Sequence, residues 1–462
     1  MRRALVHATL FISVTAGIAC GEPVAGWRGD GSGVFANQDP PTHWSKDENV
    51  LWAAPMPDRS NAQPIIAGDR AFVCSEPFEL ICVDLSDGKL LWKRSNSYQD
   101  VTDAQKWRAI EEELAAAQGL RVRKAPLERR VKELQQRLRA EPDDRETKTN
   151  IERLTGEIAL LDDGLRDLKL AEQYKLPITQ RVYNGFTTAT PTTDGKSVWA
   201  VFGNRLVVCY DVDGNRRWAT LLPDLPQAMW GHSTSPLLVD DMLIVCIDAI
   251  VALDAETGSE AWRTKYGQSW GSPATAKIGN ESVIFMSNGR MLRASDGKQV
   301  FREEAPLERV SPVVYNQALY YVGLGGVAYD FPSQVDDRLQ LNERWRAETK
   351  GGLYTASPVI YDGLVYAVSS KHILNVLDAS NGKTVYVKRL GFRREPTWPS
   401  LCVAGKYLYV TNRDGTTLVL ETGRKYVEVA KNQLEFVISS PVFHNNRMLL
   451  RTNDHLYCIG QN

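Results

Sequence analysis

The aromatic residues Phe186, Trp230, Trp270, Tyr354, Trp398 and Phe436 stand just ahead of a set of repeated prolines. Nearby are the polar groups His232, Arg309, Lys371, Arg394 and Glu395. Rings and scattered charges offer stacking and hydrogen bonding, the chemistry of a site for a small ligand or a peptide. The same rings could instead wedge between packed sheets. The bond-making signatures HExxH, CxxC and the phosphate-binding P-loop are all missing from the sequence. His232, His372, His444 and His455 form no local metal pattern. No catalytic or metal-ligating residue is therefore expected. The candidate ligand-binding set is Trp230, His232, Trp270, Arg309, Tyr354, Lys371, Glu395 and Trp398.

Cysteine chemistry divides by position. Arg2 and Arg3 precede an apolar run at 8–19, too short for a bilayer span of about 20 residues. Gly17-Ile18-Ala19-Cys20 closes it. The small residues suit cleavage before Cys20, and the four together also resemble a lipoprotein signal, with Gly17 where Leu is usual. Export is expected in both cases, with Cys20 lipidated in the second. Cys74, Cys82, Cys209, Cys246, Cys402 and Cys458 lie in apolar, strand-like runs and read as buried thiols. Cys74 and Cys82, each four residues from Phe78, could also face each other across a hairpin.

The elements that hold these residues repeat. ICVDLSDGKLLWKR, VALDAETGSEAWR and NVLDASNGKTVYVK share an Asp, a Gly four residues on and an aromatic four residues later: Asp84/Gly88/Trp92, Asp254/Gly258/Trp262 and Asp378/Gly382/Tyr386. Looser copies carry Gly214/Trp218, Gly297/Phe301 and Gly423/Val427, and another runs from Asp330 to Trp345. Prolines 64, 191, 236, 273, 312, 358, 399 and 441 each open an apolar strand ahead of a copy. One unit is about 42 residues and reads as four short strands, the period of a propeller blade. The Gly allows a tight turn, and the aromatic belongs on the outer strand between blades. The eighth unit stops after three strands, and NVLWAAP with Trp52 can supply the fourth, closing the ring without exposed edges.

Residues 98–182 break the period. Leu127, Val131, Leu134 and Leu138, then Ile151, Leu154, Ile158, Leu161, Leu165 and Leu168, follow heptad spacing on either side of Pro142-Asp143-Asp144. An antiparallel coiled-coil hairpin is expected, preceded by a shorter helix that ends near Gly119. The segment carries 17 basic and 17 acidic residues, which argues against a nucleic-acid arm. It is either a passive elaboration or a docking arm for a protein partner.

With its Asp-x-x-x-Gly-x-x-x-Trp units and "SP" strand openings, the chain resembles the PQQ-like (pyrroloquinoline-quinone-like) β-propeller repeat family over 41–97 and 183–462. The resemblance implies an all-β fold: an eight-bladed propeller of four-stranded antiparallel blades, closed by an N-terminal strand and carrying an inserted α-helical hairpin. The organisation expected is a signal peptide (1–19), a linker (20–40), closing strand and blade 1 (41–97), hairpin (98–182) and blades 2–8 (183–462). The family includes quinoprotein alcohol dehydrogenases and the non-enzymatic lipoprotein of outer-membrane barrel assembly. The dehydrogenases hold their quinone beneath two adjacent, disulfide-linked cysteines, with calcium and an Asp base. No two cysteines are adjacent in this sequence. No cofactor is therefore expected, neither PQQ nor calcium. The expected function is a non-catalytic, monomeric binding or scaffold protein of the bacterial cell envelope, in the periplasm or as an outer-membrane lipoprotein. Its partners would be proteins, met through 98–182; a net charge of −1 gives no field for nucleic acid, and membrane attachment would come only through Cys20. The alternative is a quinone-dependent dehydrogenase or a small-ligand sensor using the channel mouth.

Overall fold

A computed structural model describes residues 24–177, 184–223, 231–247, 249–265, 269–303, 307, 309–336, 338–393 and 395–461. The expected signal peptide, Cys20, Trp230 and Arg394 lie outside the described residues. The strands form eight sheets, seven of four strands and one of five. Within seven of the eight blades the antiparallel strands follow chain order, as in Leu237–Val239, Met242–Ile247, Ala249–Asp254 and Glu260–Lys265. Five of the six residues in each of the two middle strands of that blade are buried, so they read as continuous apolar runs. Both faces of a blade are covered by its neighbours, which is why inside/outside alternation is lost there. The outer strand Glu260–Lys265 is exposed at both ends and takes charged residues.

The repeated Asp and Gly build the turn before the outer strand. Asp254 Oδ1 accepts the Thr257 amide at 2.7 Å, and Gly258 N donates to Asp254 O at 2.8 Å with φ at +73°. A register shift follows at the same place in all eight blades, between Ala252 and Leu253 in this one. The Gly has a second duty that the turn reading misses. Each blade's Trp lies on the Gly of the next blade and donates its indole N–H to a carbonyl beside that turn. Trp92 bonds Val212 O at 3.0 Å, Trp218 bonds Ala255 O at 3.1 Å, Trp262 bonds Ala294 O at 2.8 Å and Trp345 bonds Ala379 O at 2.8 Å. The blades with Phe301, Tyr386 and Val427 at this position have no indole to donate, and nothing stands within 4 Å of a Cβ built on Gly423.

Val50–Pro55 pairs with His455–Ile459 as the outer strand of the eighth blade, and Trp52 bonds Leu85 O of the first at 3.2 Å. The ring is closed by the strand expected from sequence. Cys82, Cys209 and Cys458 sit directly across from Trp92, Trp218 and Trp52. A small apolar residue is what a large ring leaves room for there. Cys74 faces Leu80 rather than Cys82, and all six described cysteines are free and buried.

Two expectations need revision. The segment expected as a linker is built into the ring. Val24 bridges Ile66, Ala25 O accepts Thr193 N at 2.7 Å, and Val34–Phe35 adds a fifth, parallel strand to the blade containing Cys402–Ala404. The segment therefore reaches from blades one and two to blade seven. The hairpin begins with one 37-residue helix, Ala104–Ala140, which runs through Gly119 and Pro126 and is about 55 Å long. A lone Gly costs only about 1 kcal/mol, less than packing against Arg145–Asp167 returns. Asp103 caps the first helix through Lys106 N and Asp144 caps the second through Thr147 N. Tyr98, Ile110, Tyr174 and Leu206 root the hairpin on the propeller in one apolar cluster. Among the described residues no helix is long and apolar enough to cross a membrane.

Candidate functional site

The residue that opens each innermost strand supplies a polar ring around the axis. Gln63 N donates to Thr190 Oγ1 at 3.2 Å, Thr190 N to Ser235 Oγ at 3.0 Å and Ser235 N to Ser272 Oγ at 3.0 Å. Further round, Ser311 N donates to Ser357 Oγ at 3.0 Å, Ser357 N to Ser400 Oγ at 3.0 Å and Ser400 N to Ser440 Oγ at 2.8 Å. A blade strand that starts at the axis has no inner neighbour, so its first amide needs a side-chain acceptor. Ser or Thr at the same position of the next blade provides one. Six of the eight links are made. At the two others, Gln63 Nε2 and Oε1 and Ser311 Oγ are buried without a partner. They belong to blades one and five, on opposite sides of the ring.

These residues line an axial cavity of about 330 Å³. Trp27 closes it from the side of the N-terminal segment, which Arg28 ties across the ring. The Arg28 guanidinium is fully buried and donates from Nη2 to Pro358 O at 2.8 Å and Leu401 O at 2.7 Å. Burial lowers its pKa from the usual arginine value. Gly33 is obligatory beside it, because a Cβ there would stand 2.2 Å from Nη2. Toward the other mouth the lining continues with Asn61, Asn184, Thr188, Ser233, Trp270, Arg309, Thr355, Trp398 and Ile438.

The structure brings together three of the residues picked from sequence: Trp270, Arg309 and Trp398. Arg309 lies 6.0 Å from the Trp270 ring, and Arg413 lies 4.0 Å from the Trp398 ring. The others are elsewhere. Tyr354 is a packing residue, 4% exposed, whose hydroxyl donates to Lys350 O at 2.6 Å and accepts from Asn375 Nδ2 at 2.7 Å. Lys371 and Glu395 line a separate depression with His372 and Asp414. The Glu395 carbonyl meets His372 Nε2 at 2.7 Å, and its carboxylate is 3.6 Å from Arg413. His232 is half-buried outside the cavity lining; desolvation pushes its pKa down to about 4, so it is neutral at pH 7. Phe186 packs on Phe78 at 5.0 Å, as a wedge between blades does. The cavity's main polar groups, Gln63 and the Ser/Thr ring, were visible only as the residues beside the prolines.

Comparison with known proteins bears on the fold. Residues 247–385 match the family described as outer membrane protein assembly factor BamB. No curated protein sequence matches the chain. Among solved structures, a europium-containing methanol dehydrogenase is 10% identical with a TM-score of 0.55, over 95% of this chain and 98% of that one. Quinohemoprotein alcohol dehydrogenase ADHIIG from Pseudomonas putida HK5 is 12% identical with a TM-score of 0.50, over 89% and 72%. BamB from Moraxella catarrhalis is 15% identical with a TM-score of 0.48, over 60% and 83%. At such identities the likeness is one of fold alone. The architecture is that of an eight-bladed β-propeller. Its repeat is similar to that of the PQQ-like propellers, with the family match confined to residues 247–385.

Proposed function

We propose that the protein is a non-catalytic binding propeller of the bacterial cell envelope. One observation carries this reading: the described residues lining the axial cavity include no Asp, Glu, His, Lys or Cys, and Arg309 is their one charge. A calcium-bound, anionic quinone asks for cations around its carboxylates, for carboxylate ligands to the metal and for a base. The described lining does not fit that group. Nor do the described residues hold a cluster of three or more His, Cys, Asp or Glu able to bind a metal. What the cavity offers is hydroxyls, amides and indoles, groups that hold a ligand without transferring its protons. The hairpin rooted on Tyr98 and Tyr174 supplies a projecting surface suited to a protein partner in the envelope. The BamB family match supports the envelope placement, in the periplasm or at the outer membrane.

The test is alcohol-dependent dye reduction by the purified protein, with PQQ and calcium added. No reduction above the protein-free rate is expected. Saturable, calcium-dependent turnover would overturn the reading in favour of a dehydrogenase.

A further inference from the structure

The axial cavity also shows what kind of molecule it suits. We propose that it binds a neutral saccharide of about one or two sugar rings, a size matching the small end of ligand pockets. This rests on reading the cavity as a binding site rather than a redox centre.

The argument starts from Gln63. Its side chain is 1% exposed, lines the cavity, and has no partner at either Nε2 or Oε1. A buried amide left wholly unpaired is rare, because water has been given up and nothing returned. Across the ring the Ser311 hydroxyl is in the same condition, also 1% exposed. An occupant that satisfies both must donate and accept at once. Hydroxyl groups do so; a carboxylate only accepts and an ammonium only donates. Among the described residues no acidic side chain lines the cavity to meet a cation. The single cation of the described lining, Arg309, already lies over Trp270, so a multiply charged anion is not matched either. Three indoles, Trp27, Trp270 and Trp398, line the same space, each with an arginine against its ring. A pyranose ring has C–H groups on its faces and hydroxyls at its edge, and so answers both demands.

The test uses the full purified chain in calorimetric and tryptophan-fluorescence titrations with glucose, N-acetylglucosamine, maltose and cellobiose. Adenosine is the competing flat ligand. At least one sugar is expected to bind saturably and change the indole emission. Gln63→Leu and Ser311→Ala each remove polar atoms that have no protein partner, so both are expected to fold with Tm unchanged or raised. Each should weaken sugar binding about tenfold or more. The proposal is overturned if no sugar binds, if both variants bind as the parent does, or if adenosine binds and the sugars do not. Sugar-dependent dye reduction with PQQ would instead overturn the non-catalytic reading while supporting the saccharide.

Discussion

The indole of Trp92 occupies the place where Gly214 would carry a Cβ: that atom would stand 2.7 Å from the ring's Cδ2. The same holds for Trp218 on Gly258 at 2.6 Å, Trp262 on Gly297 at 2.8 Å, Trp345 on Gly382 at 2.7 Å and Trp52 on Gly88 at 2.8 Å. A positive φ and a missing side chain are thus both required at one residue. Gly214→Ala should cost about 2–4 kcal/mol from backbone strain and overpacking together. In Trp92→Leu the added methyl meets a smaller neighbour, so the double variant should lose less than the sum of the singles. Urea unfolding of the four proteins measures this coupling; strict additivity would mean the ring and the glycine do not meet.

Ring closure should be sensitive to acid. Glu435 receives Tyr457 OH at 2.9 Å, Thr452 Oγ1 at 2.9 Å and Lys46 Nζ at 3.2 Å, with His455 Nδ1 at 3.0 Å. Desolvation pushes this carboxyl up, but the hydrogen bonds outweigh it and bring the pKa down to about 2 from 4.5. A lowered folded-state pKa stabilises above the unfolded value and loses that stability as pH falls from about 4.5 toward 2. The full contribution is at most about 3 kcal/mol. Glu435→Gln should flatten the drop in Tm across that window while lowering Tm at pH 7. An identical acid profile in the variant would show that other carboxyls govern it.

How much of this was legible follows from what repeats. The Asp, Gly and Trp recur at one period, so blade number and the closing role of Trp52 could be read directly. Trp270, Arg309 and Trp398 were legible because they precede inner strands. Trp27 and Arg28 were not, because their partners lie across the ring; Arg28 reaches Pro358 and Leu401, and no periodicity marks such a contact. Gln63 and Ser311 were in view but read as strand openers, since only the closed ring shows that each strand's first amide seeks a hydroxyl on the next blade. Gly119 looked like a helix stop and is overridden by packing along the hairpin.

The thiols should be inert in the folded state. Burial pushes Cys74, Cys82, Cys209 and Cys458 up to about 12 and Cys402 up to about 11, so almost no thiolate exists at pH 8. Iodoacetamide at that pH should leave these five unlabelled by peptide mass analysis until denaturant is added. Cys82→Ala should be nearly neutral, because the role is to be small beside Trp92; rapid native labelling would contradict burial.

The hairpin should be separable from the ring. Removing 104–167 and joining the ends with a short flexible linker leaves the eight blades and their Trp–Gly contacts untouched. The propeller's Tm should stay within a few degrees, while recovery of envelope proteins on the immobilised chain should fall. Unchanged recovery would assign the hairpin a passive role.

The central claim concerns the axial cavity, and the most direct measurement is the melting temperature of the full chain titrated with PQQ at saturating calcium. A ligand bound only by the folded state raises Tm in proportion to the logarithm of its concentration over Kd. With one arginine and no carboxylate in the described lining, the account predicts no saturable shift. A calcium-dependent rise that saturates would contradict it and return the cavity to quinone chemistry.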